Sequence, residues 1–282
     1  MSNETATDRH REMLGALQAL QMPPSGRSSA SDLSIDEVLL LHSAGWEAVA
    51  LVYGQSAFSL PRAAWMWQQG AGPVVEATQA ATYAVENAVR DVLHDCAAAG
   101  GHGVIGAGVE VEVEHARAMA RLVGTAVRPI GAQPMVGRPF LSNLAGRDFV
   151  LLAGAGWMPV GLAFGTTLIR APRRSVRATV AQMSQNVELT NLTETLYSAR
   201  EGAMAAMQSS AKANGATGVV DVRVEEGPMR FAAHVLRFAA WGTGVRLVGD
   251  RHRHQRPKIV LPLDDREVLF KASTLGRPEG NA

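Results

Sequence analysis

The sequence predicts an α+β protein made of two repeated β-β-α-β-β units, each with helices packed on one side of a sheet. Three observations carry that expectation. The first is a duplication. Gly45-Trp46-Glu47-Ala48-Val49-Ala50-Leu51-Val52-Tyr53-Gly54 aligns with Gly156-Trp157-Met158-Pro159-Val160-Gly161-Leu162-Ala163-Phe164-Gly165 at an offset of 111 residues. Gly103-Val104-Ile105 matches Gly218-Val219-Val220 at 115, and Gly124-Thr125-Ala126-Val127-Arg128 meets Gly242-Thr243-Gly244-Val245-Arg246 at 118. Blocks in one order with slowly drifting offsets are the mark of an internal repeat. The second observation is period-two patterning after Gly103 and Gly218, and the third is a long helical stretch before each of those strands. The units are expected at 34–131 and 138–249, with a linker at 132–137, a polar N-terminal tail at 1–33 and a basic C-terminal tail at 250–282.

Composition sets the outer bounds. A chain of 282 residues, 47% of them hydrophobic, can bury a substantial core. Lys and Arg number 27 against 26 Asp and Glu, which removes the electrostatic case for a nucleic-acid binder or a polybasic membrane protein. The single cysteine, Cys96, excludes an intramolecular disulfide framework and any Cys-rich zinc or iron–sulfur site within one chain. Aromatics are only 5%, so the core is expected to rest on small and aliphatic side chains.

Taken in order, the first 32 residues are polar, and Asp8, Arg9, His10, Arg11 and Glu12 stand where a secretory signal would turn apolar. Met13, Leu14, Leu17 and Leu20 fit one side of a short helix, followed by a Pro-Pro-Ser-Gly-Arg-Ser-Ser linker at 23–29. Each unit then opens on an apolar run, Val38 to Leu40 or Val150 to Leu152, expected as its first strand. The run ending at Tyr53-Gly54 or Phe164-Gly165 supplies the second. Phe149 to Ile169 carries no charge over a length that could span a bilayer, but Gly154, Gly156, Pro159, Gly161 and Gly165 suit strand–turn–strand better. Helical stretches follow at about 76–99 and 176–214, in one piece or two, with Gly100 and Gly215 as stops. In the third strand Ile105, Ala107, Val109, Val111 and Val113 alternate with Gly106, Gly108, Glu110, Glu112 and Glu114; Val220, Val222 and Val224 alternate with Asp221, Arg223 and Glu225. One buried and one polar face follow, the polar one serving solvation or an interface. The last strand ends in Gly-Thr-x-Val-Arg. Sheet edges in a duplicated unit call for pairing between the copies or between chains.

Few residues suggest chemistry. Gly101-His102-Gly103-Val104-Ile105-Gly106 matches the dinucleotide fingerprint by letter, but that chemistry needs a strand before the glycines and a helix after them. Here the helix comes first, so the segment reads as a tight turn. His94 and Cys96 stand about 200° apart on a helix and cannot share an ion from one face. His102 and His115 flank the strand whose polar face carries Glu110, Glu112 and Glu114, so a divalent metal could be held there only with ligands from another chain. The run from Arg251 to Lys258 lacks interleaved aromatics and reads as a connector rather than a nucleic-acid site. No nucleophile elbow, P-loop or H-E-x-x-H is present, and Ser209 and Ser210 have no histidine nearby in sequence. Trp46 and Trp157 begin strands and are expected as packing anchors.

Copy two reads Glu194-Thr-Leu-Tyr-Ser-Ala-Arg-Glu-Gly-Ala203, then Ala211-Lys-Ala-Asn-Gly-Ala-Thr-Gly-Val-Val-Asp-Val-Arg-Val224, then Gly242-Thr-Gly-Val245. This resembles the bacterial YbjQ-like family, also labelled a "putative heavy-metal-binding" domain. Copy one resembles it more loosely, through Ala97-Ala-Ala-Gly-Gly-His-Gly-Val-Ile105 and Gly124-Thr-Ala-Val127. The resemblance spans about 34–249, without the Gly-Gly-Arg-Ser stretch that usually precedes the Ala-Arg-Glu helix. It implies small α+β units that assemble in the cytoplasm into a ring-like homo-oligomer, typically a pentamer, with no catalytic activity to carry over. The resulting expectation is a non-enzymatic cytoplasmic homo-oligomer of unknown protein partner and ligand, with no membrane span and no nucleic acid. The alternative is a metal site between subunits drawing on His102, His115, Glu110, Glu112 and Glu114.

Overall fold

The computed structural model describes residues 31–60, 71–114, 117–133, 137–171, 190–229 and 232–248. In chain order these form α1 (Ile35–Ser43), β1 (Trp46–Ser59), β2 (Gly72–Pro73), α2 (Val75–Ala98), β3 (Gly103–Val113) and β4 (Arg117–Pro129). The second unit continues with β5 (Phe140–Leu141), α3 (Gly146–Gly154), β6 (Trp157–Arg170), α4 (Thr190–Ala213), β7 (Gly218–Met229) and β8 (Ala232–Leu247). The α+β class and the repeated order stand, with one correction. The runs at Val38–Leu40 and Val150–Leu152 are helical, not extended. Ser34 and Glu37 form a reciprocal capping box on α1, and Ile35, Val38 and Leu39 recur at helical spacing. Gly45 and Gly156 then end α1 and α3 at φ +81° and +87°. The uncharged stretch 149–169 is therefore helix–turn–strand, and no helix among the described residues is long and apolar enough to cross a membrane.

Each unit contributes three antiparallel strands with its last strand in the middle: β1-β4-β3 in the first sheet and β6-β8-β7 in the second. The fourth strand of each sheet comes from the other unit. β5 pairs in parallel with β3, Gly103 opposite Phe140, and β2 pairs antiparallel with β6, Gly72 opposite Arg170. The edges expected to need pairing are thus partly closed by a reciprocal exchange between the copies.

Helix and sheet meet closely at the repeated Tyr-Gly and Phe-Gly pairs. A Cβ on Gly54 would stand 2.2 Å from Ala88 O, and one on Gly165 2.1 Å from Ala203 O. Alanine is frequent on the buried faces of both helices for the same reason; Ala84, Ala88, Ala199 and Ala203 are fully buried. α2 and α4 run to Ala98 and Ala213 and stop at Gly100 and Gly215, φ +79° and +76°, as the sequence indicates. The part of the expected second helix at 176–189 lies outside the described residues.

The closing Gly-Thr motif also has a physical account. β3 and β7 carry bulges at Gly106 and Asp221, both at positive φ, and Gly124 and Gly242 lie against them with no room for a side chain. The following threonines turn inward. The Thr125 hydroxyl donates to the Asp32 carboxylate, and the Thr243 hydroxyl donates to Asn143 Oδ1 at 2.6 Å, the same contact in each copy.

Candidate functional site

The structure converges on the seam between the two units. The second sheet is covered on both faces. On one, Ala163, Ile169, Phe238 and Ala240 meet α4 through Ala199, Ala203 and Met207. On the other, Leu162, Phe164, Leu168 and Trp241 join a core that includes Val85 and Leu93 of α2 and Val111 of β3. The flank of α2 and the free edge of β3 therefore stand against the face of the second sheet. Arg237 fastens the joint: its guanidinium donates to Val111 O and pairs with Glu225 at 2.6 Å.

Two clefts open along this seam. The larger, about 890 Å³, runs between α2, α4 and β6. Val85, Val89, Leu162 and Phe164 contribute apolar walls, and Glu86, Arg90, His94, Arg138, Ser209 and Asn214 line it as well. It brings His94 into the same cleft as Ser209 and Ser210, a proximity invisible in sequence because it depends on the docking of two units. Ser210 accepts from the Phe164 N–H at 3.4 Å, and the Asn214 amide donates to Leu162 O at 3.1 Å, so these side chains also tie α4 to its sheet. The smaller cleft, about 460 Å³, is lined by Glu110, Glu112, Arg121, Glu225 and Trp241 among others.

The residues singled out for metal binding are placed as follows. His102 occupies the turn before β3, with Nε2 2.9 Å from Gln133 O. Glu110 and Glu112 are exposed and face Arg121 at 3.6 and 3.9 Å, while Glu114 pairs with Arg117 at 2.9 Å. At a strand rise of roughly 3.3 Å per residue, about 25 Å of β3 separates His102 from Glu110. His115 lies outside the described residues. Among the described residues no three His, Cys, Asp or Glu side chains come together as a metal-holding group. His94 is exposed and Cys96 fully buried, on different faces of α2; burial pushes the Cys96 thiol up to about 12. The basic run 251–258 also lies outside the described residues. Trp46 is a packing anchor, edge-on to Phe149 at 5.0 Å.

The first sheet departs from the second in what covers it. α2 lies on one face; on the other, Leu41 of α1 and Phe149 of α3 pack against Ile105 and Val127, while the part around Leu51 and Tyr53 is uncovered among the described residues. Leu51 and Tyr53 are 45% and 43% exposed, whereas their equivalents Leu162 and Phe164 are 6% and 8% exposed. The complementary surface is bare in the second unit: Val222 and Val224 on β7 are 42% and 50% exposed, while Ala107, the equivalent of Val222, is 3% exposed. The expected alternation is interrupted at the Asp221 bulge: Val220 packs in the cluster of Phe149 and Leu144, and only Val222 and Val224 share the exposed apolar face.

Comparison with known proteins defines the class. The family described as "Putative heavy-metal-binding", the YbjQ-like family, matches residues 160–248, from β6 to the end of β8. The chain is also 34% identical over 249 residues to "Encapsulin nanocompartment protein Rv1762c" of Mycobacterium tuberculosis (strain ATCC 25618 / H37Rv), an alignment covering 84% of this chain and 93% of that protein. The chain belongs to the YbjQ-like family and is a homologue of this mycobacterial protein.

Proposed function

We propose that the protein is a non-enzymatic, cytoplasmic homo-oligomeric assembly protein, built from tandem YbjQ-like domains at 34–131 and 138–249, that serves an encapsulin-type nanocompartment. One observation carries the reading: the part of the sheet face that is covered by the neighbouring unit at Leu162 and Phe164 is open at their counterparts Leu51 and Tyr53 in the first copy. Apolar and aromatic side chains grouped on a sheet face are what protein contacts use. The mycobacterial relative supports the nanocompartment setting, since alignment over 93% of its length leaves little of it without a counterpart here.

Native mass spectrometry of the full chain, together with co-expression alongside an encapsulin shell protein, tests the proposal. The expected result is a single closed oligomer that co-purifies with the shell. A monomer at micromolar concentration, absent from purified shells, would overturn it.

A further inference from the structure

Resting on the self-assembly reading, we propose that chains associate head to tail by repeating between molecules the seam that joins the two units within one. The outer flank of α4 and the edge of β7 dock on the uncovered part of the β1 and β4 face of the next chain. The partner is a second copy of this chain.

The argument is one of equivalence. Inside the chain the joint has two unlike sides: the first unit supplies a helix flank and a strand edge, and the second supplies a sheet face. Because the units repeat one fold, each also carries the side it does not use. The unused sheet face is that of Leu51 and Tyr53; the unused strand edge is that of Val222 and Val224. At Leu51, Tyr53 and Val222 the covered copy is buried and the free copy exposed, and Val109, the counterpart of exposed Val224, is half-buried. The strand exchange follows the same logic. β2 closes the outer edge of β6, whereas among the described residues β1 pairs only with β4, and β7 only with β8.

An interface with two different sides, used once and left over once at each end of the chain, is heterologous; it propagates and closes when the rotation permits. The free surfaces are also adapted to water. Arg200 and Gln208 of α4 stand where α2 has Val85 and Leu93, so the unused flank is more polar than the used one. Glu226 replaces Val111 on the strand edge, and Arg121 replaces Ala239 on the sheet face. The α4 and β7 side thus gains both a base and an acid, and Arg121 pairs with Glu110 and Glu112 of its own sheet, as suits surfaces that meet water before they meet each other.

The test uses two full-length variants, Tyr53→Glu on the sheet face and Val224→Glu on the strand edge. Both sites are solvent-exposed in the single chain, so the far-ultraviolet circular dichroism of each variant stays at the wild-type value. Each variant alone loses the closed oligomer by more than about tenfold at the wild-type assembly concentration. An equimolar mixture forms a 1:1 mixed dimer, because one intact sheet face meets one intact strand edge. If both variants assemble like wild type, the seam is overturned while the assembly reading stands. If the mixture stays monomeric, unlike-sided pairing is overturned and the face is covered by something else, such as the chain's own 249–282 segment. A wild-type chain that is itself monomeric removes the assembly reading first.

Discussion

Replacing Gly165 by alanine tests whether close helix–sheet approach sets the core of each unit. The added methyl would lie 2.1 Å from Ala203 O, 2.4 Å from Met207 N and 2.9 Å from Ala206 Cβ. Two of these neighbours are backbone atoms of α4 and cannot rotate away. Ordinary contact begins near 3.4 Å, so the helix must lift by more than about 1 Å along the length that buries Ala199, Ala203 and Met207. Overpacking of this kind costs about 1–3 kcal/mol, and the backbone clash places this site toward the upper end. The strand gains back roughly 0.5–1 kcal/mol from the lower unfolded-state entropy of alanine. A net loss of about 2 kcal/mol is expected, read as a lower urea midpoint at unchanged slope and a thermal midpoint depressed by roughly 4–8 °C. Gly108→Ala is the control, since the nearest atom to its Cβ is Val123 O at 3.9 Å, and it should move stability by less than about 0.5 kcal/mol. Equal midpoints for wild type and Gly165→Ala would refute the packing account of the repeated aromatic–glycine pair.

Three further outcomes are expected. Cys96, buried and with its thiol pushed up to about 12, should resist thiol reagents in the native state and react on unfolding. Its folded pKa lies above the ordinary value of 9.0, so the native state holds a proton the unfolded chain has released. Stability therefore falls as pH rises from about 9 toward 12, and a Cys96→Ala chain with the same slope in that window would contradict the assignment. Glu37 accepts from the Ser34 N–H at 3.0 Å and from the Gly146 N–H at 2.9 Å, joining the starts of α1 and α3. The Ser34 backbone bond leads in holding its carboxyl below the usual value of 4.5, so this contribution is present above that pH and lost as pH falls through the lowered pKa. Glu37→Ala should cost about 1 kcal/mol in urea titrations near pH 7, with the difference from wild type narrowing in acid. For the metal reading, elemental analysis of wild type and His102→Ala should give the same content, well below one equivalent per chain. A stoichiometric metal lost with His102 would install an intersubunit metal site instead.

Much of the fold was legible because the repeat prints its geometry twice. Tyr53-Gly54 and Phe164-Gly165 mark the helix contact, Gly124-Thr125 and Gly242-Thr243 mark the bulge and its hydroxyl, and Gly100 and Gly215 mark the helix stops. The first element of each unit is a helix where the sequence predicts a strand, since three consecutive apolar residues carry no period of their own. The deciding signals were local: the Ser34–Glu37 capping box and the glycines before Trp46 and Trp157. The seam was not legible at all. Leu51 and Leu162, or Tyr53 and Phe164, are nearly the same residue in nearly the same motif, and only tertiary docking buries one of each pair. The same is true of the cleft that gathers His94 and Ser209, which lie on different helices.

The reciprocal strand exchange imposes a timetable on synthesis. β2 leaves the ribosome almost a hundred residues ahead of Arg170, the residue that pairs with its Gly72. At roughly 5–20 residues per second, the first half waits some 5–20 s with that hydrogen-bonding edge unclaimed. β5 arrives sooner and can seal the start of β3 before β6 exists. The nascent chain thus passes through a stage in which its first sheet is complete while the short strand meant for the second projects without a partner. During that interval it is most open to capture by a chaperone or by a neighbouring copy on the same message.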